Sequence, residues 1–125
     1  MKTPCPFTNL LQAEITNQKE GKARLTMPFR EDLTNPVGYV HGGAIASLAD
    51  AALAVAVKSL RSDPRFFTAE LKVRYRSPTR GENLVCDSKI ESRRGEFLFG
   101  RAKVMEESGK VVAEVQATFL APDSD

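Results

Sequence analysis

Gly38-Tyr39-Val40-His41-Gly42-Gly43 runs without a break into Ala44-Ile45-Ala46-Ser47-Leu48-Ala49-Asp50-Ala51-Ala52-Leu53-Ala54-Val55-Ala56-Val57. This is the only long helical signal in the chain, and it is apolar on most sides. It is therefore expected to be buried on most sides. Ser62-Asp63-Pro64 ends it, so the helix should reach about Leu60. Two glycines stand at its start, where backbone N–H groups lack intrahelical partners. Such an end suits an anion or a developing oxyanion. The segment also carries the only histidine, His41, and one acidic residue, Asp50, in an alanine-rich run.

Outside the helix the pattern has a period of two, which predicts strands. Residues 13–19 alternate, with Ala13, Ile15 and Asn17 on one face. Glu20-Gly21 supplies a turn into residues 22–29, where Ala23, Leu25, Met27 and Phe29 share a face. Residues 30–40 read as a loop. After the helix, strands are expected over 66–76, 83–92, 96–106 and 111–119. In the last, Val111, Ala113, Val115, Ala117 and Phe119 should face inward. Arg93-Arg94-Gly95 and Glu107-Ser108-Gly109 read as tight turns. Residues 1–11 form a lead-in with one helical turn from Pro6 through Leu11, and residues 121–125 a frayed tail. The order is strand, strand, helix and four strands. Its three hairpins predict an antiparallel sheet, an α+β domain spanning 1–125. A strongly curved sheet would bury the sides of the one apolar helix.

The 125 residues, 42% hydrophobic and 27% charged, suit one soluble domain. The net charge of +2 is too small to imply a nucleic-acid partner, although a basic face can exist locally. Residues 1–7 hold two prolines and no apolar signal region, and Ser47 and Asp50 interrupt the apolar run. A cytoplasmic protein with no membrane span is expected. Cys5 and Cys86 read as reduced thiols. One histidine and two distant cysteines are too few for a zinc site, so no metal is expected.

His41 and Asp50 are nine residues apart. On one α-helix that is about 900° of rotation and about 13.5 Å of rise, so they point to opposite sides. Either only one matters, or a second copy of the chain completes the site across a two-fold axis. Gly43, Ser47, Asp50, Ala51, Ala54, Lys58 and Arg61 share a helix face. That face is either solvated or a stripe of small side chains that lets a partner or ligand approach. A carboxylate in such a place has a use as base or nucleophile. His41 and the glycines also have plainer uses, as a loop hydrogen-bonder and as tight packing.

The pattern Asn35-x-x-Gly38-x-x-His41-Gly42-Gly43, followed by Leu48-Ala49-Asp50, resembles the PaaI-like branch of the hotdog-fold acyl-CoA thioesterases. Arg76-Ser77-Pro78-x-x-Gly81 and Gly109-Lys110-Val111-Val112-Ala113 are similar to that family as well. The resemblance covers roughly residues 10–120. It implies the hotdog fold, with about six strands wrapped around one long helix and two subunits joined edge to edge. It also implies hydrolysis of a short-chain, medium-chain or aryl acyl-CoA to acid and coenzyme A.

The family's roles pass to matching positions. Gly42 would donate its N–H to the thioester carbonyl, and His41 would position that group or the loop. Asn35 would orient water or thioester. Asp50 of the other subunit would be general base or nucleophile, and Thr68 would help hold water. Gly43 would flank the substrate. Arg80, Arg93 and Arg94, read as loop residues, would meet the phosphates of coenzyme A. No cofactor is implied, because a thioester is already activated. The expected assembly is an obligate homodimer, extended to a homotetramer. Two other readings stay open: a non-catalytic acyl-CoA-binding module and a hotdog enoyl-CoA hydratase. Asn35-Pro36 ahead of His41 resembles the hydratase element, but with four residues between Pro36 and His41 the spacing differs. The Lys72, Arg74, Arg76 series reads as a solvent face.

Overall fold

The computed structural model describes residues 1–122. A short helix α1 (Pro6–Leu10) leads into β1 (Glu14–Lys19) and β2 (Lys22–Met27), then a 3-10 turn (Glu31–Leu33). Helix α2 (Gly42–Lys58) follows, then β3 (Phe67–Tyr75), β4 (Leu84–Arg94), β5 (Phe97–Glu106) and β6 (Val111–Leu120). Every strand expected from the sequence is present. The six form one sheet in the order β1-β2-β4-β5-β6-β3, and all of its pairings are antiparallel. The architecture is α+β, with the sheet wrapped around α2.

Helix α2 packs mainly on β2, β4 and β5. Leu48, Ala49, Ala52, Leu53, Ala56 and Val57 are fully buried. They meet Leu25 and Met27 of β2, Leu84 and Cys86 of β4, and Val104 of β5 in one core. The closest approach is at Gly100 of β5. A Cβ there would lie 2.8 Å from Leu53 Cδ2, 2.9 Å from Ile90 Cδ1 and 3.0 Å from the Lys89 carbonyl oxygen. A glycine in mid-strand is normally unfavourable, and here it marks where helix and sheet touch.

The helix stops at Lys58, two residues short of Leu60, because Ser59 turns the chain. Its Oγ donates to the Ala56 carbonyl at 2.7 Å and accepts from the Gly21 N–H at 2.7 Å, tying the helix end to the β1–β2 turn. Beyond it, Asp63 accepts hydrogen bonds from the Arg65 guanidinium and backbone N–H and pairs with Arg61. The Arg65 hydrogen bonds hold its carboxyl down at about 2.

Three strand details differ from expectation. A bulge between Ile15 and Asn17 sends Asn17 to the outer face, opposite Arg24. An irregularity at Val104/Met105 buries Val112 and leaves Val111 half-buried. β4 continues through Arg93 and Arg94, which pair with Leu98 and Phe97. The turn is therefore Gly95-Glu96, with Gly95 at φ +60°, and the two arginines are strand residues rather than loop residues. Of the tail, Ala121 is buried and donates to the Glu96 carbonyl at 2.7 Å, and Pro122 accepts from Arg61, so neither is frayed. Residues 123–125 lie outside the described residues.

Two outcomes test this packing. Gly100→Ala should lower stability by about 1–3 kcal/mol in urea denaturation, because the added methyl overpacks the helix–sheet contact. Asp63→Asn should lower the melting temperature near neutral pH. Asp63 has a depressed pKa, so its contribution is present above the unfolded carboxyl range and is lost as pH falls through about 2. The difference from the parent protein should therefore close in acid.

Candidate active site

The helix N-terminus starts with four N–H groups that lack helical acceptors. His41 is the N-cap, in extended conformation at φ −60° and ψ 137°. Its carbonyl accepts from Ala44 at 2.9 Å and Ile45 at 3.2 Å, and its ring Nδ1 accepts from Gly43 N–H at 2.8 Å. Gly42 is left: among the described residues its N–H has no acceptor. The His41 N–H itself donates to the Leu33 carbonyl at 2.7 Å, so of the four orphan donors, on His41, Gly42, Gly43 and Ala44, one directed amide remains at the positive end of the helix dipole. Because Nδ1 accepts, the imidazole proton of neutral His41 sits on Nε2.

Two contacts that the sequence did not announce fix this turn. The Tyr75 hydroxyl donates to the Gly42 carbonyl at 2.6 Å, and a Cβ on Gly42 would come within 3.2 Å of the Tyr75 ring. The Val40 N–H donates to the Thr79 carbonyl at 2.9 Å, while the Thr79 hydroxyl donates to buried Glu106 at 2.6 Å. Tyr75 reads in sequence only as the end of an alternating strand, and Glu106 as one acid near a turn. Nothing local marks either.

Asn35 shapes the loop ahead of the helix. Its Oδ1 accepts from the backbone N–H groups of Val37 and Tyr39, both at 3.1 Å, and its own N–H donates to the Tyr39 carbonyl at 2.7 Å. Arg80 lies over the Tyr39 ring, 4.5 Å from its centroid, and so flanks the same loop. Beside His41, Gly43 and Ser47 is a largely apolar depression of about 260 Å³, floored by Leu33 and Ala44 and walled by Phe7 and Leu11.

Asp50 lies two and a half turns further along α2, as nine helical residues require. It is half-buried, on a stripe with Ser47 and Ala54 that is also half-buried. The Thr68 hydroxyl of β3 donates to Asp50 Oδ1 at 2.6 Å. No cation pairs with Asp50 among the described residues. The chain therefore brings Asp50 and Thr68 together, and His41, Gly42 and Gly43 together, as two clusters. Arg80 belongs with the second. Arg93 and Arg94 stand at the other end of the sheet, by the β4–β5 turn, and Arg93 Nε donates to the Gly95 carbonyl. No group of three or more His, Cys, Asp or Glu is gathered for a metal among the described residues. No described helix is long and apolar enough to cross a membrane. Burial pushes the Cys86 thiol well up, which makes it inert, and Cys5 is exposed.

A family model described as a domain of unknown function, DUF4442, matches residues 1–120. The chain belongs to the DUF4442 family. A Halobacterium salinarum protein named "Putative esterase" is 35% identical over 88 residues, 66% of this chain and 58% of the relative. The aligned stretch is thus little more than half of that relative's length. Among solved structures, a thioesterase family protein from Silicibacter pomeroyi is 25% identical, with TM-score 0.88 and coverage of 96% of this chain and 91% of that one. The PaaI protein of E. coli is 20% identical, with TM-score 0.88 and coverage of 97% and 87%. The fold is that of the PaaI-like hotdog proteins, as the Asn35-to-Asp50 motif implied.

His41 tests the capping argument directly. His41→Ala should lower stability by about 1 kcal/mol, and His41→Asn should recover most of it, in chemical denaturation.

Proposed function

We propose that this DUF4442 member is an acyl-CoA thioesterase whose site is completed by two subunits. The observation that carries the reading is Asp50: a half-buried carboxylate with no cation beside it, held by one hydroxyl, on a stripe of small side chains. An ion-paired aspartate would be structural, whereas this one keeps an oxygen for chemistry. The free Gly42 N–H supplies the complementary part, a donor for a carbonyl oxygen that gains charge. The names of the halobacterial and Silicibacter relatives point to ester or thioester hydrolysis.

One chain holds the two parts, eight residues apart, about 12 Å from each other along the helix axis, too far to act on one carbonyl carbon. β3 offers the means of joining two chains. It is nine residues long, ends the sheet, and leaves Phe67 and Tyr75 more than half exposed. An open edge of that length is a template for strand pairing. Pairing there puts Thr68 and Asp50 near the seam. In the assembled dimer the thioester carbonyl accepts from Gly42 N–H. Asp50 of the partner subunit either takes a proton from the attacking water or attacks directly to give an anhydride that water then opens. The C–S bond breaks and the thiolate of coenzyme A leaves. Thr68 orients the carboxylate, His41 holds the helix turn that aims Gly42, and Asn35 keeps the loop in shape. Arg80 is placed to meet a phosphate near that loop, while Arg93 and Arg94 would serve only from a partner subunit.

A panel of short-chain, medium-chain and aryl acyl-CoA substrates, followed with a thiol reagent, checks this. At least one class should release coenzyme A, and Asp50→Asn should cut that release by about 10²–10⁴-fold with the fold intact. Folded protein that releases no thiol sinks the proposal. Binding without release would make it an acyl-CoA-binding module, and loss of conjugated absorbance from an enoyl-CoA would make it a hydratase. Mixing inactive Asp50→Ala with inactive Asn35→Ala protein should restore activity after subunit exchange, and silence after verified exchange would rule out a shared site.

A further inference from the structure

The sheet face turned away from α2 forms a groove of about 620 Å³. Eight lysines and arginines line it against two carboxylates, in a chain whose net charge is only +2. The strand register explains how the charge is arranged. One row across the sheet reads Arg24, Asp87, Lys103, Glu114, Arg74, each residue opposite the next. Its signs alternate, and Arg24 and Asp87 pair at 2.6 Å. Two residues along the strands, the neighbouring row reads Lys22, Lys89, Arg101, Gln116, Lys72. Lys19 on β1 extends it opposite Lys22. That row contains no carboxylate. Arg101 reaches out of it to Glu91 at 2.8 Å, while Lys22, Lys89 and Lys72 form no ion pair among the described residues.

Like charges directly opposite each other in a sheet are destabilising, and this row sets them side by side about 4.8 Å apart, strand after strand. The adjacent row shows that the same surface can neutralise itself. The cationic row therefore carries an unmet demand for an external anion, and the demand is linear. Among the described residues no aromatic or large apolar side chain lines the groove to stack a base or hold an acyl chain. A concavity of this volume takes a small ligand rather than a bilayer surface or a folded domain. Lysine ammonium groups, as movable point charges, suit phosphoryl oxygens.

We propose that this groove is a binding site for a compact linear polyphosphate, its phosphoryl groups lying along the Lys22–Lys89–Arg101–Lys72 row. The site is separate from Gly42 and Asp50 and stands whether or not the chain hydrolyses thioesters. Titration calorimetry at low salt tests it, with orthophosphate, inorganic tripolyphosphate and longer-chain polyphosphate as probes and ATP as the nucleotide-borne form. Affinity should rise with chain length and fall with added salt. Lys72→Gln with Lys89→Gln should weaken tripolyphosphate binding about tenfold, while Lys103→Gln in the alternating row should change it far less. Without ligand, Lys89→Gln should melt higher than the parent protein, because a like-charge neighbour is gone. Tighter binding of ATP than of tripolyphosphate would assign the chain to a nucleotide, and the reverse to free polyphosphate. No heat from any probe overturns the proposal, as do affinity independent of chain length or equal losses from both rows.

Discussion

The constraint behind this molecule is a seventeen-residue helix with almost no polar surface to give to water. Ten of its residues, from Ala44 to Val57, are buried. A flat sheet covers one side of a helix, so an apolar girth of this kind requires a sheet that curves around it. The curvature is visible in local devices: bulges in β1, β3 and β4, and a glycine at the point of closest contact. The polar groups that are enclosed serve the same union. Buried Ser88 lies 2.8 Å from the Ala52 carbonyl, and Gln18 donates to the Val55 carbonyl at 3.2 Å, so both sheet residues bind the helix backbone.

Burying so much of the helix also decides where polar chemistry can be. Apart from Lys58 at its end, only the N-terminal turn and the narrow Ala46, Ser47, Asp50, Ala54 stripe of the helix stay open. The first provides an amide and the second a carboxylate, and helix geometry keeps them apart. In the proposed reading neither is a site alone. The cap that stabilises the helix is also what directs the one remaining amide, since His41 engages Gly43, Ala44 and Ile45 and leaves Gly42. Stability and aim come from the same residue, so a change at His41 would disturb both.

The architecture was readable because each element carries its own signal. Alternation in residues 113–120, the Glu20-Gly21 turn and the apolar run of α2 are local patterns, and they survive into the structure. The motif from Asn35 to Asp50 is likewise contiguous. What failed to show depends on residues distant in sequence. The bulge at Asn17 is set by pairing with Arg24. The extension of β4 through Arg94 is set by Phe97. Tyr75 reaches Gly42, and Glu106 braces Thr79, only because the β3 edge and the β5 end arrive beside the helix cap. Thr68 was legible as a family position, but its hydrogen bond to Asp50 is a property of the folded chain.

The outer face shows why net charge is a poor guide to such a surface. The sequence places Lys72, Arg74 and Arg76 on one side of a strand, which taken alone is an ordinary solvated series. Chain order gives no hint that β3 pairs with β6 rather than with β4, its neighbour in sequence. That pairing carries Lys72 into line with Lys22, Lys89 and Arg101, residues from three other strands, while Arg74 falls beside Glu114. Had the β3–β6 register slipped by two residues, Lys72 would join the alternating row instead. The register is fixed from the inside, where Leu71 and Val73 pack against the core. The apolar demand of the helix thus dictates which charges meet on the opposite side of the sheet. The cationic row is a consequence of how the core is closed, and its unneutralised charge is the part that the core does not explain.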